Sequence, residues 1–244
     1  MTTWVLAPLG RIRARRTVGL VLLVHLAVVA VLRAVFGLAL RTSDDAEMMA
    51  AVSGYDGGGT RPELLFTNVL IGHALRALYR MAPELPWYGI YLHGLQMLAV
   101  SVIVVGLLVL LEGRARILVV AAVGATLILL PGFIVSIQFT IVAFLIALSG
   151  PLLFLALRAR GVGPVTCGAV GGVLMVAGLL VRFQSFAAMV LVTALLLLVI
   201  AVHDGRLDIR GVAALGITIA VLGGGAVAVE NLWWEDHLGI ARPQ

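Results

Sequence analysis

The sequence predicts an all-α protein, a polytopic transmembrane helical bundle of about seven spans, with an outer loop that contains an interfacial helix. Hydrophobic residues make up 62% of the 244 residues and charged residues only 12%, whereas charged residues are about 25% of a soluble domain. The apolar residues fall into runs of about 20, the length that crosses a bilayer as a helix. We therefore expect an integral membrane protein.

The first two predicted spans flank the large polar loop. A basic N-terminus, residues 1–16, precedes an apolar run over residues 17–40. This run is too long for a signal peptide and has no small-residue cleavage site, so it is expected to be a retained signal anchor. The second span is predicted at residues 87–111, where an aromatic cluster at its start is typical of a membrane interface.

The uncharged stretch over residues 117–157 is about twice as long as one span requires. Pro131-Gly132 near its middle predicts a turn between a third and a fourth span. Gly150-Pro151 predicts a kink in the fourth span, or a local loss of helix. Three further spans are predicted at residues 162–181, 183–202 and 211–229.

The arginines predict the orientation of the bundle. Ten of them lie in four segments that seven crossings place on one side, and the positive-inside rule assigns that side to the cytoplasm. The same bias explains the net charge of +5, so nucleic acid is not an expected partner. The single transmembrane domain, residues 17–229, would then sit in the plasma membrane with a cytoplasmic N-terminus. The loop at residues 41–86 and a polar tail at residues 230–244 would be extracytoplasmic.

The outer loop holds six of the twelve carboxylates of the chain. Within it, residues 62–82 are predicted to form an interfacial helix, because Pro62 suits a first turn, Glu63 suits its positive end and Pro83 stops it. Polar residues recur there every four positions, which favours a helix lying at the membrane surface. This polar stripe consists of Asn68, Gly72, Arg76 and Arg80.

Asp44 and Asp45 are the candidate catalytic residues. Of two adjacent carboxylates at the mouth of a span, one can accept a proton from an alcohol while the other holds a divalent cation or an acceptor hydroxyl. An alternative is that the pair caps a helix starting near Ala46, since Asp is a favoured N-cap. Glu47 is a candidate supporting carboxylate.

Three arginines are candidates to bind a lipid-linked phosphate. Arg76 and Arg80 share one helix stripe, and Arg182 lies in a very short turn between the fifth and sixth spans, where charge-assisted hydrogen bonds would stabilise a departing phosphate. Alternatively, Arg76 and Arg80 contact solvent or lipid headgroups. Side chains expected to support the site are Asn68, His73 and Gln184.

An acidic pair directly after a first span, in Ser43-Asp44-Asp45, resembles the membrane glycosyltransferases of the GT-C superfamily. The continuation RPELLFTNVLIGHALRALYRMAPELPWYGI, from Arg61 to Ile90, is also similar to a poorly characterised group of bacterial polytopic membrane proteins. The superfamily resemblance implies a seven-span module, an outer loop with interfacial helices, a polyprenyl-phosphate-linked sugar donor and inversion at the sugar. It further implies that Asp44 or Asp45 serves as base, or helps to hold a divalent cation such as magnesium or manganese.

The expected function is therefore sugar transfer from a polyprenyl-phosphate donor to a hydroxyl of a cell-envelope acceptor. A transporter or lipid flippase is the first alternative, which Gly150-Pro151 favours and the scarcity of charge inside the spans disfavours. A non-catalytic subunit of a membrane assembly is the second, because the chain is short for a GT-C enzyme. Expected partners are membrane lipid, the lipid-linked sugar donor and, for the second alternative, a partner membrane subunit.

Overall fold

The computed structural model describes residues 39–111, 136–204 and 208–238, together with scattered positions between residues 19 and 37. Almost all of this part of the chain is helical. The elements are β1 (Ala39–Leu40), α1 (Ser43–Ser53), α2 (Val69–Met81), α3 (Trp87–Leu110), β2 (Ser136–Ile137), α4 (Phe139–Ala159), α5 (Pro164–Val181), α6 (Phe183–Asp204), α7 (Ile209–Thr218), a π-helical turn (Ile219–Gly223) and α8 (Gly224–Leu238).

Five helical segments of the described residues are long and apolar enough to cross a membrane. They are Trp87–Leu110, Phe139–Ala159, Pro164–Val181, Phe183–Val202 and Ile209–Asp236. The all-α, multi-pass membrane architecture is thereby confirmed, as are the second, fourth, fifth, sixth and seventh predicted spans. The predicted third span, which precedes Pro131, lies outside the described residues, as does the first except at scattered positions.

Glycines bring the backbones of the central helices together. A Cβ atom added to Gly150 of α4 would lie 2.5 Å from the carbonyl oxygen of Gly171 in α5, and one added to Gly168 would lie 2.8 Å from the backbone nitrogen of Leu215 in α7. Small residues permit such close packing of membrane helices. Because α4 stays helical through Pro151, the predicted loss of helix there is wrong, and Gly150 serves the contact with α5.

The last span differs from its prediction in two ways. A π-helical turn, Ile219–Gly223, interrupts it, and nothing in the sequence pattern predicted this turn. The helix then continues to Leu238, so residues 230–238, which were predicted to belong to a polar tail after the last span, are part of α8. Residues 239–244 lie outside the described part of the chain.

The polar loop rests on one end of the helical bundle. The strand β1 pairs in parallel with β2, which directly precedes α4. At the end of α5, the backbone N–H of Asn68 donates to the carbonyl oxygen of Leu180 at 2.8 Å, and the Thr67 hydroxyl donates to that of Val181 at 3.2 Å. The start of α4 and the end of α5 therefore lie at the same end of the bundle, which we call the loop end.

The loop helix α2 begins seven residues later than predicted, at Val69 instead of residue 62. Asn68 is its N-cap, and the Asn68 side-chain oxygen accepts from the N–H of Leu70 at 3.0 Å. The preceding segment is not helical because it packs into the core, where Leu64 is only 1% exposed, and the Pro62 carbonyl lies against Gly72. Pro62 and Glu63 thus do not open the helix, whereas its end at Met81 agrees with the prediction.

Candidate functional site

The acidic pair lies in the first turn of α1. Thr42 is the N-cap, and its hydroxyl accepts from the N–H of Asp45 at 3.3 Å. The interpretation of Asp44-Asp45 as caps of a helix starting near Ala46 is therefore wrong, because the helix already begins at Ser43. Carboxylates in a first turn still favour the positive end of the helix.

Asp45 is completely buried and joins three helices. Its Oδ2 accepts from the Thr42 hydroxyl at 2.5 Å. Its Oδ1 accepts from the Tyr88 hydroxyl of α3 at 3.3 Å and from the backbone N–H of Phe139 at 3.1 Å. Phe139 is the first residue of α4, and the N-cap Gln138 supplies no side-chain cap, so Asp45 caps α4 from a distant part of the chain.

Burial determines the electrostatics of Asp45. Removal of the carboxyl group from solvent raises its pKa above the ordinary 3.8, although the hydrogen bonds from Thr42, Phe139 and Tyr88 act in the opposite direction. All three partners are donors, and together they occupy three of the roughly four lone-pair sites of the carboxylate. Asp45 is therefore built to hold a position in the fold.

Asp44, by contrast, is half-buried. Within the described ranges, the side-chain hydrogen bond of Asp44 comes from the Ser43 hydroxyl, at a long 3.4 Å. Glu47 follows three positions later and is exposed, which places it on the same side of α1. Of the two adjacent aspartates, Asp44 keeps carboxylate oxygens available for a proton or a cation.

Arg182 lies at the end of α5 and reaches the same residue as Asp45. Its guanidinium carbon is 5.0 Å from the ring centroid of Phe66 and 4.9 Å from that of Phe139, within the range of a cation–π contact. It also donates to the Thr140 hydroxyl and, at 3.4 Å, to the side-chain oxygen of Gln184. The structure thus places Asp45 on the backbone of Phe139 and Arg182 on its ring.

Two polar residues near the start of α2, the N-cap Asn68 and His73, assemble elsewhere, along a seam with α8. Asn68 donates to the carboxylate of Glu230 and to the carbonyl oxygen of Ala226, the latter at 3.2 Å. His73 meets the ring of Trp233 edge-on, with centroids 4.4 Å apart. Asn68 and His73 therefore support this seam and are not brought to the acidic pair by any described contact.

The predicted phosphate-binding arginines are not gathered by direct contacts. Arg76 is half-buried and its Nε atom has no hydrogen-bond partner among the described residues, while Arg80 is exposed at the last turn of α2. In the part of the chain that the structure describes, no hydrogen bond or ring contact links either to Arg182. Among these three arginines, the described contacts link Arg182 to the first turn of α4.

Sequence reasoning missed several residues of the loop-end site. Tyr88 belongs to the aromatic cluster that the sequence predicts at the membrane interface, and its hydroxyl instead donates to Asp45. The backbone N–H of Phe139 carries no side-chain signal at all. Thr42 could have been found, because a threonine two positions before an acidic pair is a typical N-cap pattern. Glu230 was assigned to the polar tail and is instead 3% exposed.

No described group of three or more His, Cys, Asp or Glu side chains is arranged to hold a metal ion. Asp44 remains the carboxylate with oxygens available to a cation, because the oxygens of Asp45 already accept three hydrogen bonds. No family model, curated protein or solved structure matches the chain.

Proposed function

We propose that the protein is a membrane glycosyltransferase that moves a sugar from a polyprenyl-phosphate donor to a hydroxyl of a cell-envelope acceptor. The observation that carries this proposal is that Asp45 and Arg182 both contact Phe139. Buried Asp45 fixes α1, and with it Asp44, to the first turn of α4, where Arg182 packs on the Phe139 ring. Asp45, the neighbour of the available carboxylate of Asp44, and the cation of Arg182 are thereby anchored to one residue.

In the proposed reaction, Asp44 accepts the proton of the acceptor hydroxyl, and the resulting nucleophilic oxygen attacks the anomeric carbon of the donor. The bond between that carbon and the phosphate oxygen breaks, and polyprenyl phosphate leaves. Arg182 stabilises the negative charge that develops on the phosphate. Asp45 has a positioning role, and a divalent cation, if bound, would be held by Asp44.

Charge distribution supports an extracytoplasmic site in the plasma membrane, with the N-terminus in the cytoplasm. Arg158 and Arg160 end α4, and Arg210 lies in the first turn of α7. Arg158 pairs with Asp208 at 3.2 Å, so these basic residues gather at the end of the bundle opposite the loop end. By the positive-inside rule, that opposite end faces the cytoplasm.

The proposal is tested by Asp44→Asn in proteoliposomes supplied with a panel of polyprenyl-phosphate sugars and hydroxylated glycolipid acceptors. Sugar transfer should fall by about 10²- to 10⁴-fold, the usual contribution of a general base, while the amount of folded protein stays constant. Glu84→Gln is the matched control, because Glu84 is an exposed carboxylate of the same loop, and it should transfer sugar at the wild-type rate.

Full transfer activity in Asp44→Asn would contradict the proposal. Flux of lipid across the vesicle membrane that does not depend on Asp44 would instead indicate the transporter or flippase alternative. Loss of the purified protein unless a second membrane protein is co-expressed would indicate the assembly-subunit alternative.

A further inference from the structure

Glu230 is a buried carboxylate in the last span. It is 3% exposed, and the apolar helical segment Ile209–Asp236 extends beyond it. An ionisable side chain in a membrane-spanning helix is costly to bury, and it usually marks a functional role shared with a partner. One partner of Glu230 is Asn68, whose side-chain nitrogen donates to its Oε2 atom. Neither side chain takes part in the proposed transfer step, so the contact indicates another role.

Glu230 helps to hold the Asn68 side chain in one orientation. The amide nitrogen of Asn68 also donates to the carbonyl oxygen of Ala226 at 3.2 Å, and its side-chain oxygen accepts from the N–H of Leu70 at 3.0 Å. Because a carbonyl only accepts and an N–H only donates, the amide cannot be reversed. Asn68, itself 3% exposed, is therefore tied to α8 at two residues that lie about one helical turn apart.

The segment that contains Asn68 binds the end of α5. The last four carbonyl groups of a helix have no partner within it. This segment satisfies two of those in α5, because the N–H of Asn68 donates to Leu180 at 2.8 Å and the Thr67 hydroxyl donates to Val181 at 3.2 Å. Thr67 is as well buried as Asn68, so both bonds are shielded from solvent. The end of α5 therefore takes its position from this segment.

Arg182 directly follows the bound turn. It is the C-cap residue of α5 and its backbone is extended. The Phe66 ring lies beside its side chain, with 5.0 Å between the guanidinium carbon and the ring centroid. Residues 66–68 thus contact residues 180–182 in reverse order. They set both where Arg182 leaves the helix and which way its side chain extends.

We propose that Glu230 is a positioning residue for Arg182. From α8, Glu230 holds Asn68, and the segment that contains Asn68 holds the end of α5 and the Arg182 guanidinium. The task of Arg182, to bind the departing phosphate, rests on the function proposed above. The last span thereby contributes to the transfer site through the polar loop, without touching the site itself.

Three variants of α8 separate this role from a merely structural one. Glu230→Leu removes the acceptor and leaves an apolar side chain, which suits a membrane helix and should preserve the fold. Glu230→Gln is the conservative variant, because its side-chain oxygen can still accept from Asn68. Asn231→Leu is the matched control, since Asn231 is the exposed neighbour of Glu230.

The position of Arg182 is measured by fluorine NMR in detergent, with para-fluorophenylalanine in place of Phe139. The ring centroid of Phe139 is 4.9 Å from the guanidinium carbon, and Arg182→Gln gives the resonance without this charge. Glu230→Leu should move the resonance toward that of Arg182→Gln, whereas Glu230→Gln and Asn231→Leu should leave it in place. An unmoved resonance in Glu230→Leu, or an equal shift in Asn231→Leu, would overturn the proposal.

Asn68→Asp breaks the same contact from the other side, because a carboxylate cannot donate to Glu230, and aspartate is still a good N-cap. It should move the resonance in the same direction as Glu230→Leu, and it decides the test if Glu230→Leu does not fold. A resonance that stays in place in folded Asn68→Asp would overturn the positioning role.

Transfer in proteoliposomes gives the second measurement. In Glu230→Leu, kcat/KM for the lipid-linked donor should fall by about 10- to 100-fold, as for a misplaced binding group, while KM for the hydroxyl acceptor stays unchanged. A shifted resonance with unchanged transfer would overturn the role of Glu230 in the reaction. Absence of transfer in the wild type, with the resonance shifted as expected, would contradict the proposed function and leave the placement of Arg182 by Glu230 standing.

Discussion

The loop end and the centre of the bundle are held together by different physical means. At the loop end, polar groups far apart in sequence bind one another: Asp45 with Phe139, and Asn68 with Ala226. In the centre, α4, α5 and α7 meet at glycines such as Gly150 and Gly168, where backbones touch. The loop end therefore depends on correctly directed hydrogen bonds, and the centre of the bundle depends on the close fit of helix backbones.

This difference predicts opposite weaknesses. A hydrogen-bonded carboxylate fails when atoms are removed, because buried donors are left without an acceptor. A glycine contact fails when a single carbon is added, because a backbone cannot rotate away as a flexible side chain can. The loop end should therefore be sensitive to truncation, and the centre should be sensitive to enlargement.

The largest effect on stability is expected for Asp45→Ala. This change removes the acceptor from the Tyr88 hydroxyl and from the N–H of Phe139, both of which are buried. Each buried group left without a partner costs about 1–3 kcal/mol, so the free energy of unfolding should fall by about 3 kcal/mol. Unfolding in detergent with increasing denaturant measures it.

Asp44→Ala is the matched control for this experiment, since the adjacent carboxylate is half-buried and has one long hydrogen bond. It should change the free energy of unfolding by less than about 0.5 kcal/mol. Equal losses in the two variants would show that burial does not distinguish the two aspartates.

A smaller loss, of about 1–3 kcal/mol, is expected for Gly168→Ala. The added Cβ atom would overlap the carbonyl oxygen of Gly211 and would lie 2.8 Å from the backbone nitrogen of Leu215, so α5 and α7 must separate. Thermal unfolding in detergent detects this change.

Gly216→Ala provides the comparison for Gly168→Ala, because Gly216 lies in α7 and an added Cβ would have no atom of the described residues within 4 Å. It should be neutral, or stabilising by up to about 1 kcal/mol through helix propensity. Tolerance of alanine at both positions would contradict the role assigned to the glycine contacts.

The same contrast explains how much could be predicted from the sequence. The spans were predictable because a bilayer imposes a length and a composition on each helix independently of the others. The contacts of Asp45 were not, because its partners lie 43 and 94 residues away and one of them is a backbone N–H. The sequence indicated the acidic pair as a candidate site. It did not indicate that Asp45 is buried while the carboxylate of Asp44 stays available.

The start of α2 shows how tertiary structure overrides a local signal. Pro62 and Glu63 are good residues for a first helical turn, yet burial of Leu64 and the hydrogen bond from Thr67 to Val181 hold that segment on the bundle. Asn68 is also a favoured N-cap, so a correct start was present in the sequence as a competing signal. At α8, the polar residues predicted a tail that begins at Glu230, whereas Glu230 is buried against Asn68.

The smallest predicted effect is a pH dependence that arises from Asp45. Because burial raises the pKa of Asp45 in the folded protein above the ordinary 3.8, the folded state binds this proton more readily than the unfolded state. The resulting stabilisation is complete below pH 3.8 and is lost as the pH rises through the higher folded value. The midpoint of thermal unfolding should therefore fall across this window.

The Asp45→Asn variant isolates this contribution, because its side chain cannot ionise. The difference in unfolding midpoint between the wild type and Asp45→Asn should move in favour of the variant as the pH rises from 4 to 7. Asp56, whose pKa is lowered chiefly by the N–H of Gly58, contributes equally to both proteins and cancels in the difference. A difference that instead moves in favour of the wild type would mean that the three donors stabilise the carboxylate more than burial destabilises it, and Asp45 would then be the stronger anchor in its charged form.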